Sequence, residues 1–412
     1  MRRSTLATAL VAVFISYLGI PAAVKTGGYK ATDLVVNKSP LIDKNGISHN
    51  CATATPMCTV DPNLLNPWGV TEIPTGSPFW VSDNAAGVAT LYNVPAGAPN
   101  SVTINPLVVS IPTPVGSSGA PTGTVFNPLS DPSNPNPGFV ISGVDANNKP
   151  TSKPARFLFA TEDGTIVGWN SGVGTSRSSF NGPNGASTQG IIAVDNSGNN
   201  FTVPPSSATG AVYKGLAIAT DANGVTRLYV TNFRSGMVEM YDVNFHALTS
   251  PPAFVDPKLP DSYAPFNIVP INGELFVTFA VQNAAKHDDV AGQSHGIVDV
   301  FDLDGTFRQR FAQHDQLNSP WGVALAPTGF GELGGALWIG NFGNGHINAF
   351  DPDTGKFLSK VRDPKGKAIL IDGLWTITFG SNNGNGGSAN TLYFTAGPNG
   401  ETDGLFGSLN PN

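Results

Sequence analysis

The sequence predicts an all-β protein folded as a six-bladed β-propeller, and three observations carry that prediction. The first is composition. Of 412 residues, 48 are Gly and 34 are Pro, one fifth of the chain, and only 12% are charged. Helical bundles and coiled coils need long runs free of both residues. Hydrophobic residues make up 40%, spread along the whole length, which supports a buried core and argues against disorder. The second is a repeat. Asn66-Pro67-Trp68-Gly69-Val70 returns as Ser319-Pro320-Trp321-Gly322-Val323, with weaker copies at Pro121-Thr122-Gly123, Tyr213-Lys214-Gly215-Leu216, Pro265-Phe266-Asn267 and Ile371-Asp372-Gly373-Leu374. The third is spacing. From Trp68 the steps to Thr122, Lys214, Phe266, Trp321 and Asp372 are 54, 92, 52, 55 and 51 residues. Six units of about fifty residues, each with three or four short strands, are the signature of a propeller.

The elements follow in chain order. Arg2 and Arg3 precede an apolar stretch from Leu6 to Ile20 and then Pro21-Ala22-Ala23. This pattern reads as a signal peptide over residues 1–23, with an uncleaved anchor as the alternative. Fifteen apolar residues are short for a membrane span. Cleavage would remove two arginines and no acid, leaving 20 basic against 29 acidic residues, a net charge of −9 in place of −7. No membrane span would remain after cleavage, and the protein would be secreted or periplasmic.

Residues 24–412 read as one propeller, with blade cores beginning near 67, 121, 214, 265, 320 and 372. Tyr29–Asn37 (YKATDLVVN) is a strand with no unit of its own, and the sixth unit ends at GLFGSL with no outer strand. The economical solution is ring closure, in which residues 29–37 complete the last blade and leave no open edge. Cys51 and Cys58 are the only cysteines. In an exported chain they read as a small disulfide loop; the alternative, a metal pair with His49, falls short of a closed zinc site. Second strands follow each unit start, as in PFWVSDN (78–84), RFLFATED (156–163) and RLYVTNF (227–233), with buried-face alternation at Phe79 and Val81 and at Leu228 and Val230. The 92-residue step of unit two holds inserted Pro/Asn-rich matter.

LNPWGV, RFLFATEDGTIVGWN, NFGNGHINAFDPDTGKF, IDGLWTITFG and NTLYFTAGPNGE resemble an uncharacterised family of exported six-bladed propellers of the NHL type. That resemblance implies fold and export and assigns no chemistry. A more distant similarity is to the gluconolactonase/regucalcin propellers, and it implies a divalent metal on the axis, calcium or another, held by Asn or Asp oxygens. The matching positions here are Trp68, Thr122, Lys214, Phe266 (or Asn267), Trp321 and Asp372, of which only Asp372 offers a carboxylate. No residue is therefore assigned as a metal ligand.

Propeller topology brings the start of the inner strand, the end of the second strand and the following loop to one face. The candidate ligand-binding residues of that funnel are Trp68, Asp83, Asn84, Glu162, Asp163, Lys214, Asn232, Asn283, His287, Trp321, Asn341 and Asp372. Each has a plainer reading. Asp and Asn at strand ends cap turns, Trp68 and Trp321 could plug the inner ring or stack on a ligand, and His287 lies in a polar loop, Gln282 to Gly296. Lys214 and Asp372, opening blades three and six, should face each other across the channel. Glu162 and Asp163 point to opposite sides of their strand and form no dyad.

With only 22 Lys and Arg and no basic stripe, nucleic acid is excluded as a partner. No nucleophile elbow, phosphate loop or dinucleotide fingerprint appears. Two functions remain open. One is a binding module taking a small molecule, glycan or protein at a polar, Trp-lined funnel. The other is a metal-dependent hydrolase of the lactonase type.

Overall fold

The computed structural model describes residues 27–53, 58–115, 118–131, 133–198, 210–249 and 253–412. The predicted signal peptide, residues 1–23, lies outside them. Among the described residues no helix is long and apolar enough to cross a membrane.

Six antiparallel sheets radiate from a common axis. Their inner strands are Pro67–Thr71, Pro121–Phe126, Tyr213–Thr220, Tyr263–Ile271, Pro320–Leu325 and Leu374–Phe379. Each is followed by a second strand that pairs with it, for instance Phe79–Asp83 in blade one and Leu337–Asn341 in blade five. Among the described residues, blades one, two, four and five have four strands; blade three has three, followed by a single bridge, Tyr241 to Ala247. The Pro/Asn-rich insertion of unit two, residues 128–138, leads into a hairpin, Val140–Val144 with Pro150–Pro154, between the first and second strands of its blade.

The predicted ring closure is present. Tyr29–Val36 runs antiparallel to Leu405–Pro411, the third strand of blade six, and a short strand, Thr59–Val60, adds outside it. Tyr29 explains why this segment locks. Its ring packs edge-on against Trp338 of blade five, and its hydroxyl donates to the Phe330 carbonyl at 3.0 Å. Cys51 and Cys58 are disulfide-bonded, as expected.

The repeated motif makes physical sense at the axis. Asn66 and Ser319 take left-handed backbone, with φ of 46° and 45°, and Pro67 and Pro320 then begin the strand, where the missing N–H costs nothing. Glycine follows the axial residue because adjacent inner strands nearly touch. A side-chain carbon on Gly69 would lie 2.6 Å from the Thr122 carbonyl oxygen, and one on Gly322 2.6 Å from that of Trp375. Side chains then cross from blade to blade: Thr122 Oγ1 donates to Tyr213 O (2.9 Å), Asn267 Nδ2 to Trp321 O (2.8 Å) and Thr376 Oγ1 to Trp68 O (2.7 Å).

Candidate functional site

At the centre, aromatic side chains close the axis. Trp68, Trp321, Trp375, Phe266 and Phe233 form one buried cluster, with Phe342 against it. Trp375 stacks between Trp68 and Phe342, while Trp321 meets both Trp68 and Trp375 edge-on. Trp68 and Trp321 are 2% and 3% exposed. Of the two readings the sequence allowed, the plug is therefore the one observed: these rings lie beneath the funnel and do not line its wall. The axial residue of blade six is Trp375, not Asp372.

On one side of this plug lies a charged mouth. Lys214, only 2% exposed, extends over the ring of Trp68, with Nζ 5.1 Å from its centroid and 5.9 Å from that of Phe233. Nζ donates to Glu162 Oε1 and reaches Asp288 Oδ1 at 3.4 Å. Burial by itself would pull the lysine pKa down; the Glu162 and Asp288 carboxylates outweigh it, and the net shift is upward. The ammonium stays charged.

A hydrogen-bonded chain runs on around the axis. Glu162 Oε2 accepts from Asn84 Nδ2 (2.9 Å), and Asn84 Oδ1 accepts from Asn66 Nδ2 (3.2 Å). The Asn66 amide also donates to Glu401 Oε2 at 2.7 Å, and Asn66 Oδ1 accepts from the Trp375 indole at 2.9 Å. On the other side His287 Nδ1 lies 2.7 Å from Asp288 Oδ1. His287 and Lys214 together hold the Asp288 carboxyl far below its ordinary value. Burial, reinforced by the charge of Glu162, pushes Glu401 up against the opposing pull of Asn66. Burial also raises Asp289, which sits beside Ser319, and Asp163, which accepts from the Ala120 N–H at 2.8 Å.

Local backbone explains these placements. Asn399, Gly400 and Glu401 have φ of 59°, 65° and 70°, a left-handed run that delivers the Glu401 carboxyl to Asn66. The blade-four loop is closed by a Gln282–Asp289 bridge, a backbone bond from Asn283 N to Asp288 O (2.8 Å), and one from Asn283 Nδ2 to Asp288 Oδ2 (3.3 Å). It is a built turn that presents Asp288 and His287.

The predicted residues thus separate into groups. Asn84, Glu162, Lys214 and His287 meet at the mouth, with Asp163 and Asn283 on the turns that support it. Asp83, Asn232 and Asn341 are fully buried and bond within their own blades: Asp83 accepts from Thr90 Oγ1 (2.7 Å), Asn232 donates to Glu239 (2.7 Å), and Asn341 donates to Gln316 O (2.7 Å). Asp372 does not face Lys214. It pairs with Lys44 at 2.5 Å and accepts from the Asn399 N–H at 2.9 Å, so it fastens the N-terminal segment to blade six. The reason is register: the inner strand of blade six starts at Leu374, three residues later than its Ile371-Asp372-Gly373 motif suggests. Asp288 and Asp289, metal-capable neighbours of His287 in the same polar loop, belong to the mouth as well, and so do Asn66 and Glu401, which are not among the candidates. Asn66 was legible, since it opens the strongest repeat. Glu401 was not, because only the left-handed run directs it to the axis.

Beyond the plug, the same inner strands enclose a cavity of about 190 Å³, lined by Thr71, Thr124, Asn267, Thr376 and apolar neighbours, with no ionisable side chain.

No family model matches the chain. Two uncharacterized proteins of Acanthamoeba polyphaga mimivirus are each 29% identical, over 357 and 360 residues. Both matches cover 85% of this chain, and they cover 76% and 81% of the viral proteins. Among solved structures, the PQQ-bound aldose sugar dehydrogenase of Streptomyces coelicolor is similar at 11% identity and a TM-score of 0.43, covering 94% of this chain and 98% of that one.

Proposed function

We propose that this propeller is a binding module whose charged mouth takes a small, donor-rich ligand, with a glycan as the class that fits best. One observation carries the reading. The buried ammonium of the mouth, Lys214, is already committed to Glu162 and Asp288. The unused capacity of the mouth therefore consists mainly of carboxylate oxygens on Glu162, Asp288 and Glu401, which accept and do not donate. Sugar hydroxyls supply donors without the desolvation cost of a full charge. Ring stacking is not part of this reading, because the tryptophans are buried. Export, read from residues 1–23, would place such a module where glycans are met. A glycan array followed by calorimetry on the full chain tests it. Saturable binding to a defined glycan that Glu162→Gln or Glu401→Gln weakens about tenfold, one charge-assisted hydrogen bond, is the expected result. Binding that survives both substitutions would remove the mouth from the proposal.

The second reading, a metal-dependent hydrolase, draws on Glu162, His287 and Asp288, whose ligand atoms all lie within 4.8 Å of one another. These residue types suit a divalent cation. The set does not fit one as it stands, because the Lys214 ammonium is bonded to two of its three members.

A further inference from the structure

We infer that Lys214 is the resident cation of the axial mouth: its tethered ammonium fills the centre of a divalent-metal ligand set, and Glu162, His287 and Asp288 take up a free metal ion only when that ammonium is removed.

The geometry is that of an occupied cation site. Two carboxylates and an imidazole converge from two segments, the end of the second strand of blade two and two adjacent positions of the blade-four turn. Lys214 arrives from a third, the start of the inner strand of blade three, and its Nζ bonds one oxygen of each carboxylate. Asp288 Oδ1 is shared by the ammonium and by His287 Nδ1, so a metal bound through that atom and the present ammonium compete for the same lone pairs. Below, the faces of Trp68 and Phe233 complete the cage by cation–π contact. Nothing in the cage invites the lysine to leave. Its side chain is buried, and swinging out would strand Glu162 and Asp288 without their counter-charge. A divalent ion beside it would have to share with the ammonium the two carboxylates that Nζ already bonds.

Carrying the cation on a side chain has a functional consequence. A lysine ammonium offers hydrogen bonds but no open coordination position, so it fixes the Glu162 and Asp288 carboxylates without acting as a Lewis acid. The mouth is then constitutively charged and indifferent to the supply of metal ions, whatever ligand it takes.

The test uses the full chain, with Ca²⁺ and Mn²⁺ as probes, read by calorimetry and by Mn²⁺ electron paramagnetic resonance. The wild-type protein should show no saturable binding below about 1 mM, the weak limit for extracellular calcium modules. Lys214→Met and Lys214→Gln should each bind one equivalent at least tenfold more tightly than that limit. Glu162→Gln added to either should cancel the gain. If the lysine variants fold poorly, the readout is rescue: either ion should raise the melting temperature of Lys214→Met and leave that of the wild type unchanged. One equivalent bound tightly by the wild type, and lost with Glu162→Gln, overturns the inference. So do folded lysine variants that bind no more tightly than the wild type, or poorly folded ones that neither ion rescues. A negative glycan screen leaves this result untouched, and a positive one does not establish it.

Discussion

The two ends of the axis are built from the same six inner strands and have opposite chemistry. The mouth gathers Glu162, Asp163, Asp288, Asp289 and Glu401 around one lysine. The far cavity, about 190 Å³, is lined by threonines, an asparagine, aliphatic side chains and Trp321 of the plug. The difference lies in which part of the chain supplies each surface. The mouth is made of turns and of residues just before or just inside a strand, where a side chain can be charged and still find water or a partner. The cavity is made by strand interiors, which face one another across a narrow ring and must be small, neutral and already hydrogen-bonded. Function concentrates where the backbone has finished its own pairing.

What keeps the two ends apart is the tryptophan layer, so the largest effect should come from opening it. Trp68→Ala would remove a ring packed against Trp375, Trp321 and Phe266. The Trp68 indole N–H has no acceptor among the described residues, so the loss is one of packing and not of a hydrogen bond. Cavity-forming substitutions of this kind cost about 3–5 kcal/mol. Urea unfolding measures it, and a cost under about 1 kcal/mol would mean that the rings are not a packed partition.

Next in size is the charge balance of the mouth. Glu162→Gln keeps the shape and removes the partner of a buried ammonium. Asp288 remains nearby, so the expected loss is about 1–3 kcal/mol, below the full cost of an orphaned buried charge. Isosteric changes at the cavity end should show no comparable penalty; a Glu162→Gln protein as stable as the wild type would erase this part of the contrast.

The ends should also differ in their response to pH. Burial raises Glu401 and Asp289, so both bind a proton more readily folded than unfolded. Their contribution is fully present below the ordinary carboxylate range and is lost as pH rises through the folded values. Asp288 runs the other way: it is held low by His287 and Lys214, and its contribution is lost as pH falls below the ordinary range. Glu401→Gln should therefore flatten the decline of stability on the alkaline side and leave the acid limb unchanged. Melting curves collected across pH report both limbs, and an unaltered alkaline limb would exclude Glu401 as the titrating group. Asp299, pushed up to about 7 by burial in blade four, contributes its own decline equally in both proteins and belongs to the baseline.

Much of this was readable in the sequence, and the boundary is instructive. The blade count came from Asn66-Pro67-Trp68-Gly69 and its copies because crowding at the axis leaves few residues that fit there. The closing strand came from counting, since Tyr29–Val36 had no other partner. Lys214 and Glu162 were visible as polar residues at topologically equivalent strand ends. Their mutual pairing was not, because repeat spacing gives the angular position of a blade and not the reach of a side chain. The expected Lys214–Asp372 pair failed for that reason: a three-residue offset in blade six put Trp375 on the axis and turned Asp372 toward Lys44. Asp83, Asn232 and Asn341 share residue type and position with true mouth residues. Only their burial and local partners identify them as turn caps.

The smallest effect should come from the cavity end. Thr376 lines the cavity and donates through Oγ1 to the Trp68 carbonyl at 2.7 Å. That carbonyl also accepts from Thr395 Oγ1 at 2.6 Å, so it is doubly served. Thr376→Val keeps the β-branched shape that suits a strand and deletes one of the two donors. The acceptor left behind still has a partner, which avoids the larger cost of an unsatisfied buried group. The expected loss is about 0.5–1.5 kcal/mol, the net worth of one neutral hydrogen bond. Glycan binding and metal exclusion at the mouth should not change, because the substitution lies on the other side of the tryptophan layer. Measured in the same chain, a small stability loss with mouth binding intact would show the two ends to be energetically separate. A change in mouth affinity would mean that Trp68, whose carbonyl takes this bond and whose ring supports Lys214, transmits from one end to the other.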